Sequence, residues 1–130
     1  MGKGSARPVV LDTGALIAFE RGDSRIRSLV ELAMRHGGVL HVPGGVVAQA
    51  WRDGRRQTRL ARLLASGLVQ VQALDGDEAR ATGVVCAQSK TNDIVDASVV
   101  LLARRHRAPI VTSDPDDISR IDASVEVIPC

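Results

Sequence analysis

Short β-branched apolar runs alternate along this chain with longer stretches whose apolar residues recur every three or four positions. Pro8–Leu11 predicts a strand, and Thr13–Glu20 a short helix capped by Asp12 or Thr13. Ser24–Arg35 carries apolar residues at 26, 29, 30 and 33, a helical period that Gly37 and Gly38 stop. Val39–Val42 predicts a second strand, after which Pro43 opens a helix bearing Val46, Val47, Ala50 and Trp51. Gly54 interrupts that helix, and Leu60, Leu63 and Leu64 continue its pattern to Gly67. A third strand is expected at Leu68–Val71, then helices over Asp77–Ser89 and Asp93–His106. Ile110–Thr112 predicts a strand, Asp116–Ile121 a helical turn and Val125–Ile128 a closing strand.

Alternation of this kind implies an α/β fold, with a central parallel sheet covered by helices on both faces. The 130 residues suffice for one domain with a substantial core, so a lead-in over 1–7 and a single domain over 8–130 are expected. The segment 1–7 lacks the apolar stretch of a signal peptide. Apolar content is 45% but aromatics are only 2%, so Val, Leu, Ile and Ala must build the core. Trp51 and Phe19 are the only large rings, so base-stacking platforms of the single-strand-binding type are poorly supplied. Cys86 and Cys130 fit no metal spacing, and a reduced, cytoplasmic chain is the simplest reading. No apolar run approaches the roughly 18 residues of a membrane span, so no membrane partner is expected.

The candidate chemistry lies in aspartates. The runs Val9-Val10-Leu11 and Ile110-Val111-Thr112-Ser113 end on Asp12 and Asp114. Between them, Asp93 and Asp96 stand one helical turn apart and share a face. Ligands of open α/β sheets bind beyond the carboxyl ends of the strands. A turn or helix cap accounts for any one of these acids. Four together, at corresponding ends of their elements, repel one another and call for a hard divalent cation. Asp116 and Asp117 read as solvated, with Asp117 able to lean toward Asp114. Thr112 and Ser113 bring hydroxyls that usually satisfy the backbone but suit a phosphate oxygen as well.

Val10-Leu11-Asp12-Thr13-Gly14-Ala15-Leu16-Ile17-Ala18, Asp93-Ile94-Val95-Asp96-Ala97 and Thr112-Ser113-Asp114-Pro115-Asp116-Asp117 occur in that order. The set resembles the PIN domain and, within it, the VapC-type toxin ribonucleases of bacterial toxin–antitoxin pairs. The resemblance covers nearly the whole chain after Arg7. It implies a small three-layer α/β/α sandwich, Mg2+- or Mn2+-dependent endoribonucleolytic cleavage, a homodimer and a cognate antitoxin. Residue by residue, it implies catalytic roles for Asp12, Asp93, Asp96 and Asp114. Asp12, Asp93 and Asp114 would hold the metal and Asp96 would orient or deprotonate the attacking water. Gln49, Thr112, Ser113 and Asp117 would support them. The resemblance fails at Gln49, where the family usually carries a glutamate on the helix after the second strand. An amide offers an oxygen but neither charge nor basicity. One firmly held Mg2+ is therefore expected, and the alternative is an impaired module that binds RNA or a protein without cleaving.

The net charge of +2 understates the basicity. Arg52, Arg55, Arg56, Arg59 and Arg62 are opposed only by Asp53, and Arg104, Arg105, His106 and Arg107 end another helix. All the basic residues except Lys3 and Lys90 are arginines, which pair bidentately with phosphate. A solvated helix face explains either cluster alone. Beside an acidic metal site, the Arg52–Arg62 group is read as a track for an RNA backbone, with sequence-independent and salt-dependent affinity. Other phosphate chemistries fit less well. A haloacid-dehalogenase-type phosphatase needs an aspartate where Gly14 stands, and a receiver domain needs a phosphoacceptor where Gln70-Val71-Gln72 offers none. No glycine-rich phosphate loop is present.

Overall fold

In the computed structural model, which describes residues 7–130, β1 (Val9–Leu11) is the central strand. It lies between β2 (Leu40–Pro43) and β4 (Ile110–Thr112), with β3 (Val69–Gln72) and β5 (Val127–Pro129) at the edges and every pairing parallel. Val10 sits opposite His41 on one side and Ile110 on the other. The sheet is covered on both faces, which is why its inner strands read as unbroken apolar runs. Val10, Val42, Ile110 and Val111 are fully buried. Edge strand β3 instead exposes Gln70 and Val71. Apart from Arg7, the expected lead-in lies outside the described residues.

One face carries α1 (Thr13–Glu20), α2 (Ser24–Arg35) and α4 (Thr58–Ala65). The other carries α5 (Gly76–Ser89), α6 (Ile94–His106) and α7 (Pro115–Ile121). The short α3 (Gly44–Ala50) packs against both α1 and α6. The expected α/β/α sandwich is therefore the observed one. In α6 the run from Ala97 to Val100, with Leu102 and Ala103, is buried, so this helix presses the sheet along almost its whole length. Leu16 of α1 and Leu102 of α6 are sealed in the core from opposite faces. Truncating either to Ala would cost about 3 kcal/mol.

The interruption expected at Gly54 separates two helices, because residues 51–57 form a loop closed by their own side chains. Gln57 Oε1 accepts from the backbone N–H of Arg52 at 2.7 Å and of Asp53 at 3.0 Å. The closing strand starts at Val127 rather than Val125, since Asp122 first turns the chain by accepting from Ser124 N at 2.8 Å.

The strand order creates a crevice. After β1 the chain winds outward through β2 to β3, then crosses back to add β4 on the other flank of β1. Neighbouring connections leave in opposite directions between β1 and β4, and such switch points are where α/β sheets bind ligands.

Candidate active site

Asp12 and Asp114 follow these two adjacent strands at their carboxyl ends. Asp12 is 5% exposed, and its Oδ1 accepts from Ala15 N at 2.9 Å to cap α1. Asp114 is held by the turn after β4, where its own N–H donates to the Thr112 hydroxyl at 2.9 Å. Thr112 is itself fully buried at the end of β4. Close approach here requires a glycine. A Cβ on Gly14 would stand 1.9 Å from Ser113 Oγ and 2.8 Å from Ser113 Cβ.

Asp93 caps α6 by accepting from Asp96 N at 2.9 Å, which orients the pair over the strand ends. Burial raises the Asp12 carboxyl, and the charge of Asp114 adds to this against hydrogen bonds from Thr112 and Ala15. Asp96 is pushed up to about 7, first by burial and then by the charge and hydrogen bond of Asp93 and the charges of Asp12 and Asp117. Thus Asp96 senses Asp93, Asp12 and Asp117. Asp117 takes Arg120 at 2.8 Å as its ion-pair partner rather than leaning toward Asp114.

Gln49 lies within reach of the same edge, where Thr13 Oγ1 donates to its Oε1 at 2.7 Å. The donor set is oxygen-only and mutually repelling, which suits a hard divalent cation. Among the described residues, no three carboxylate, imidazole or thiol groups close on a common point. Asp12 and Asp93 each spend one oxygen on a helix cap.

A cleft of about 250 Å³ opens from Asp93, Asp96 and Asp117, walled by Lys90, Thr91 and Arg120. Sequence reading missed Lys90 and Arg120, since an exposed cation carries no periodic signature. It also missed that the Cys130 thiol comes near these acids. Burial, then the charges of Asp12 and Asp23, push that thiol up to about 11, so it is an inert neighbour rather than a nucleophile. The basic clusters divide. Arg52, Arg55 and Arg56 are exposed on the loop after α3. Arg59 donates to Glu20 O at 3.1 Å, and with Arg27 and Arg62 it lines an apolar groove that includes Phe19, Val30 and Met34. In the second cluster, Arg104 pairs with Asp122 at 2.7 Å and Arg105 with buried Glu78.

The profile of the PIN domain matches residues 9–124. The chain belongs to the PIN-domain family. Members of this family are nucleases, and Asp12, Asp93 and Asp114 all fall within the matched span. The solved structures that resemble this PIN domain include VapBC2 of Rickettsia felis bound to a promoter DNA fragment. Its TM-score is 0.68 at 12% identity, over 95% of this chain and 98% of that one. A toxin–antitoxin complex from Klebsiella pneumoniae gives 0.68 at 16% identity, over 92% and 95%. VapC20 of Mycobacterium tuberculosis, described as a sarcin–ricin-loop-cleaving toxin, gives 0.56 at 20%, over 78% and 86%. Identities this low speak for a shared PIN fold and no further. A search of curated protein sequences finds no match. No helix among the described residues is long and apolar enough to cross a membrane.

Proposed function

We propose that this PIN domain, acting as one unit over residues 8–130, is a divalent-cation-dependent endoribonuclease and the toxin of a toxin–antitoxin pair. The observation that carries the reading is the convergence of charge at the switch point. Asp12 and Asp114 end adjacent strands, and at the start of α6 Asp96 is raised to about 7 by burial first, then by Asp93, with the charge of Asp12 adding to it. Such a cluster is stable only when neutralised.

Asp12, Asp93 and Asp114 would hold Mg2+ or Mn2+, which when bound supplies Lewis acidity and neutralises charge on the phosphate. Asp96, between Asp93 and Asp12, is the residue that orients an attacking water and takes its proton. Thr112 holds the Asp114 turn by accepting from its N–H, and Ser113 offers a hydroxyl beside Asp114. In-line attack by the water forms a new P–O bond as the bond to the leaving ribose oxygen breaks; the water's proton goes to Asp96, the leaving oxygen takes one from solvent, and the products are a phosphomonoester end and a free ribose hydroxyl. Arg52, Arg55, Arg56, Arg59 and Arg62 are all exposed and are the cations for the RNA backbone, with Arg59 and Arg62 also lining the apolar groove.

Solved neighbours that are toxin–antitoxin complexes support an antitoxin partner. An amphipathic segment laid over the acidic cleft would complete the inhibited state. A homodimer in the cytoplasm fits the same reading. The test is cleavage of single-stranded RNA with Mg2+ or Mn2+, with EDTA, and with Asp93→Asn as control. Metal-dependent cutting that the variant loses supports the nuclease. If wild type binds RNA yet cuts none under any metal, the second reading holds: a PIN module impaired by Gln49 that binds without cleaving.

A further inference from the structure

Trp51 is the only tryptophan of the chain, which has no tyrosine. It follows α3 in an extended conformation and remains 36% exposed. Its other side rests on the loop itself. A Cβ on Gly54 would come within 2.8 Å of indole Cζ2 and 3.0 Å of Cη2, so the backbone is pressed against the ring.

The loop is fixed from within. Besides accepting from Arg52 N and Asp53 N, the Gln57 amide donates through Nε2 to Ala50 O at 2.8 Å. Asp53 Oδ1 accepts from Arg55 N at 2.9 Å, and Asp53 O accepts from the N–H of both Arg56 and Gln57. A connection with no regular structure thus presents a large ring in one pose, so little conformational freedom is lost when something lies on it.

The surroundings of the ring are cationic. Arg55 is 93% exposed and only loosely paired with Asp53 at 3.6 Å. Arg56 makes no ion pair among the described residues. Arg52 spends Nη1 on the carbonyls of Ala48 and Trp51 and keeps its remaining donors. Gln49, two residues before Trp51, holds Thr13 beside Asp12, which connects this loop to the acidic edge.

We propose that the loop Trp51–Gln57 is a nucleotide-docking site, with the indole stacking on one unpaired RNA base and Arg52, Arg55 and Arg56 holding the flanking phosphates. The inference rests on the RNA-cleaving reading above. An exposed ring within an arginine fork is the combination single-stranded nucleic acid requires: a π-face for a base and positive charge for its backbone. Stacking is tolerant of base identity, so the loop sets grip and register rather than sequence.

Because Trp51 is the sole tryptophan, its fluorescence reports on this loop alone. A single-stranded RNA dodecamer is titrated into the wild-type protein in EDTA, and anisotropy of the same RNA carrying a dye measures binding in parallel. Heparin is the control polyanion without bases. The expected result is saturable quenching by RNA that follows the anisotropy curve, weaker quenching by heparin at equal occupancy, and loss of both RNA signals at high salt. Trp51→Ala should weaken RNA binding about tenfold, and Trp51→Phe, which keeps a ring, should recover most of it. RNA binding without a change in Trp51 emission, or equal quenching by heparin, overturns the inference while the nuclease reading stands. Quenching by a protein partner but never by bound RNA overturns it in favour of a protein-docking loop. Absence of RNA binding by anisotropy removes the nuclease reading and this one with it.

Discussion

Thr13 Oγ1 donates to Gln49 Oε1 at 2.7 Å across thirty-six residues of sequence, tying α3 to the start of α1 beside Asp12. Gln49 therefore stands where a carboxylate would join the acidic edge, and its amide contributes an oxygen without charge. Gln49→Glu adds that charge. Affinity for Mn2+, followed by calorimetry, should rise about tenfold, whereas Gln49→Ala leaves it within about twofold. Equal affinities in all three proteins would put residue 49 outside the reach of the cation.

The contact between Gly14 and Ser113 makes a second, steric test. Rotating the Ser113 hydroxyl away does not make room for a Cβ at position 14, because Ser113 Cβ itself would still be 2.8 Å distant. Gly14→Ala should cost about 2 kcal/mol, lower Tm by about 5 °C and reduce cleavage more than tenfold by shifting the Asp114 turn. Adding Ser113→Gly should restore most of the stability, a non-additivity expected of residues in contact. Thermal melts of the two single variants and the double variant read this directly.

These two contacts show what a sequence can and cannot carry. Val10, Leu11, Ile110 and Val111 announce a buried parallel sheet because both of its faces are covered. The strand-end positions of Asp12 and Asp114, with the i, i+3 pair Asp93 and Asp96, point to one edge. The lateral order that makes β1 and β4 neighbours is tertiary and has no local signature. Direction was equally hidden in the arginine run. The loop at 51–57 carries Arg52, Arg55 and Arg56, while Arg59 and Arg62, equally exposed, flank the groove with Arg27. The second basic cluster took its ordinary role, since Arg104 and Arg105 answer Asp122 and Glu78.

The carboxyl cluster also predicts how stability depends on pH. Asp96 has a folded-state pKa of about 7 against an unfolded value near 3.8. The folded state then favours the protonated acid, so the metal-free protein loses stability as pH rises between those values and is least stable above 7. Asp96→Asn removes the charge and should stabilise the metal-free protein at pH 8 by about 1 kcal/mol, after allowing for solvent screening of a half-exposed group, which a higher Tm reads. The same variant should lose cleavage. Melts at pH 5 and pH 8 with EDTA check the sign, and a variant no more stable than wild type at pH 8 would refute the repulsion.

The opposite sign is expected at the stack of His41 on β2 and His106 in the last turn of α6, with ring centroids 3.7 Å apart and planes 15° from parallel. Two imidazoles in that contact cannot both carry charge cheaply. Burial first, and then the neighbouring His106, lower the His41 pKa below its ordinary 6.5. The folded state therefore favours neutral His41. Its contribution is complete above pH 6.5 and is lost as pH falls below that value through the folded pKa. Because Asp96 works in the other direction over part of this range, the readout is the difference between two proteins rather than one curve. His41→Phe keeps a ring on His106 but cannot titrate. Relative to wild type, it should gain Tm steadily as the buffer is taken from pH 7 to pH 5. Parallel curves over that window would mean that His41 titrates alike in the folded and unfolded chain, and a loss of Tm relative to wild type would mean that the fold keeps it charged.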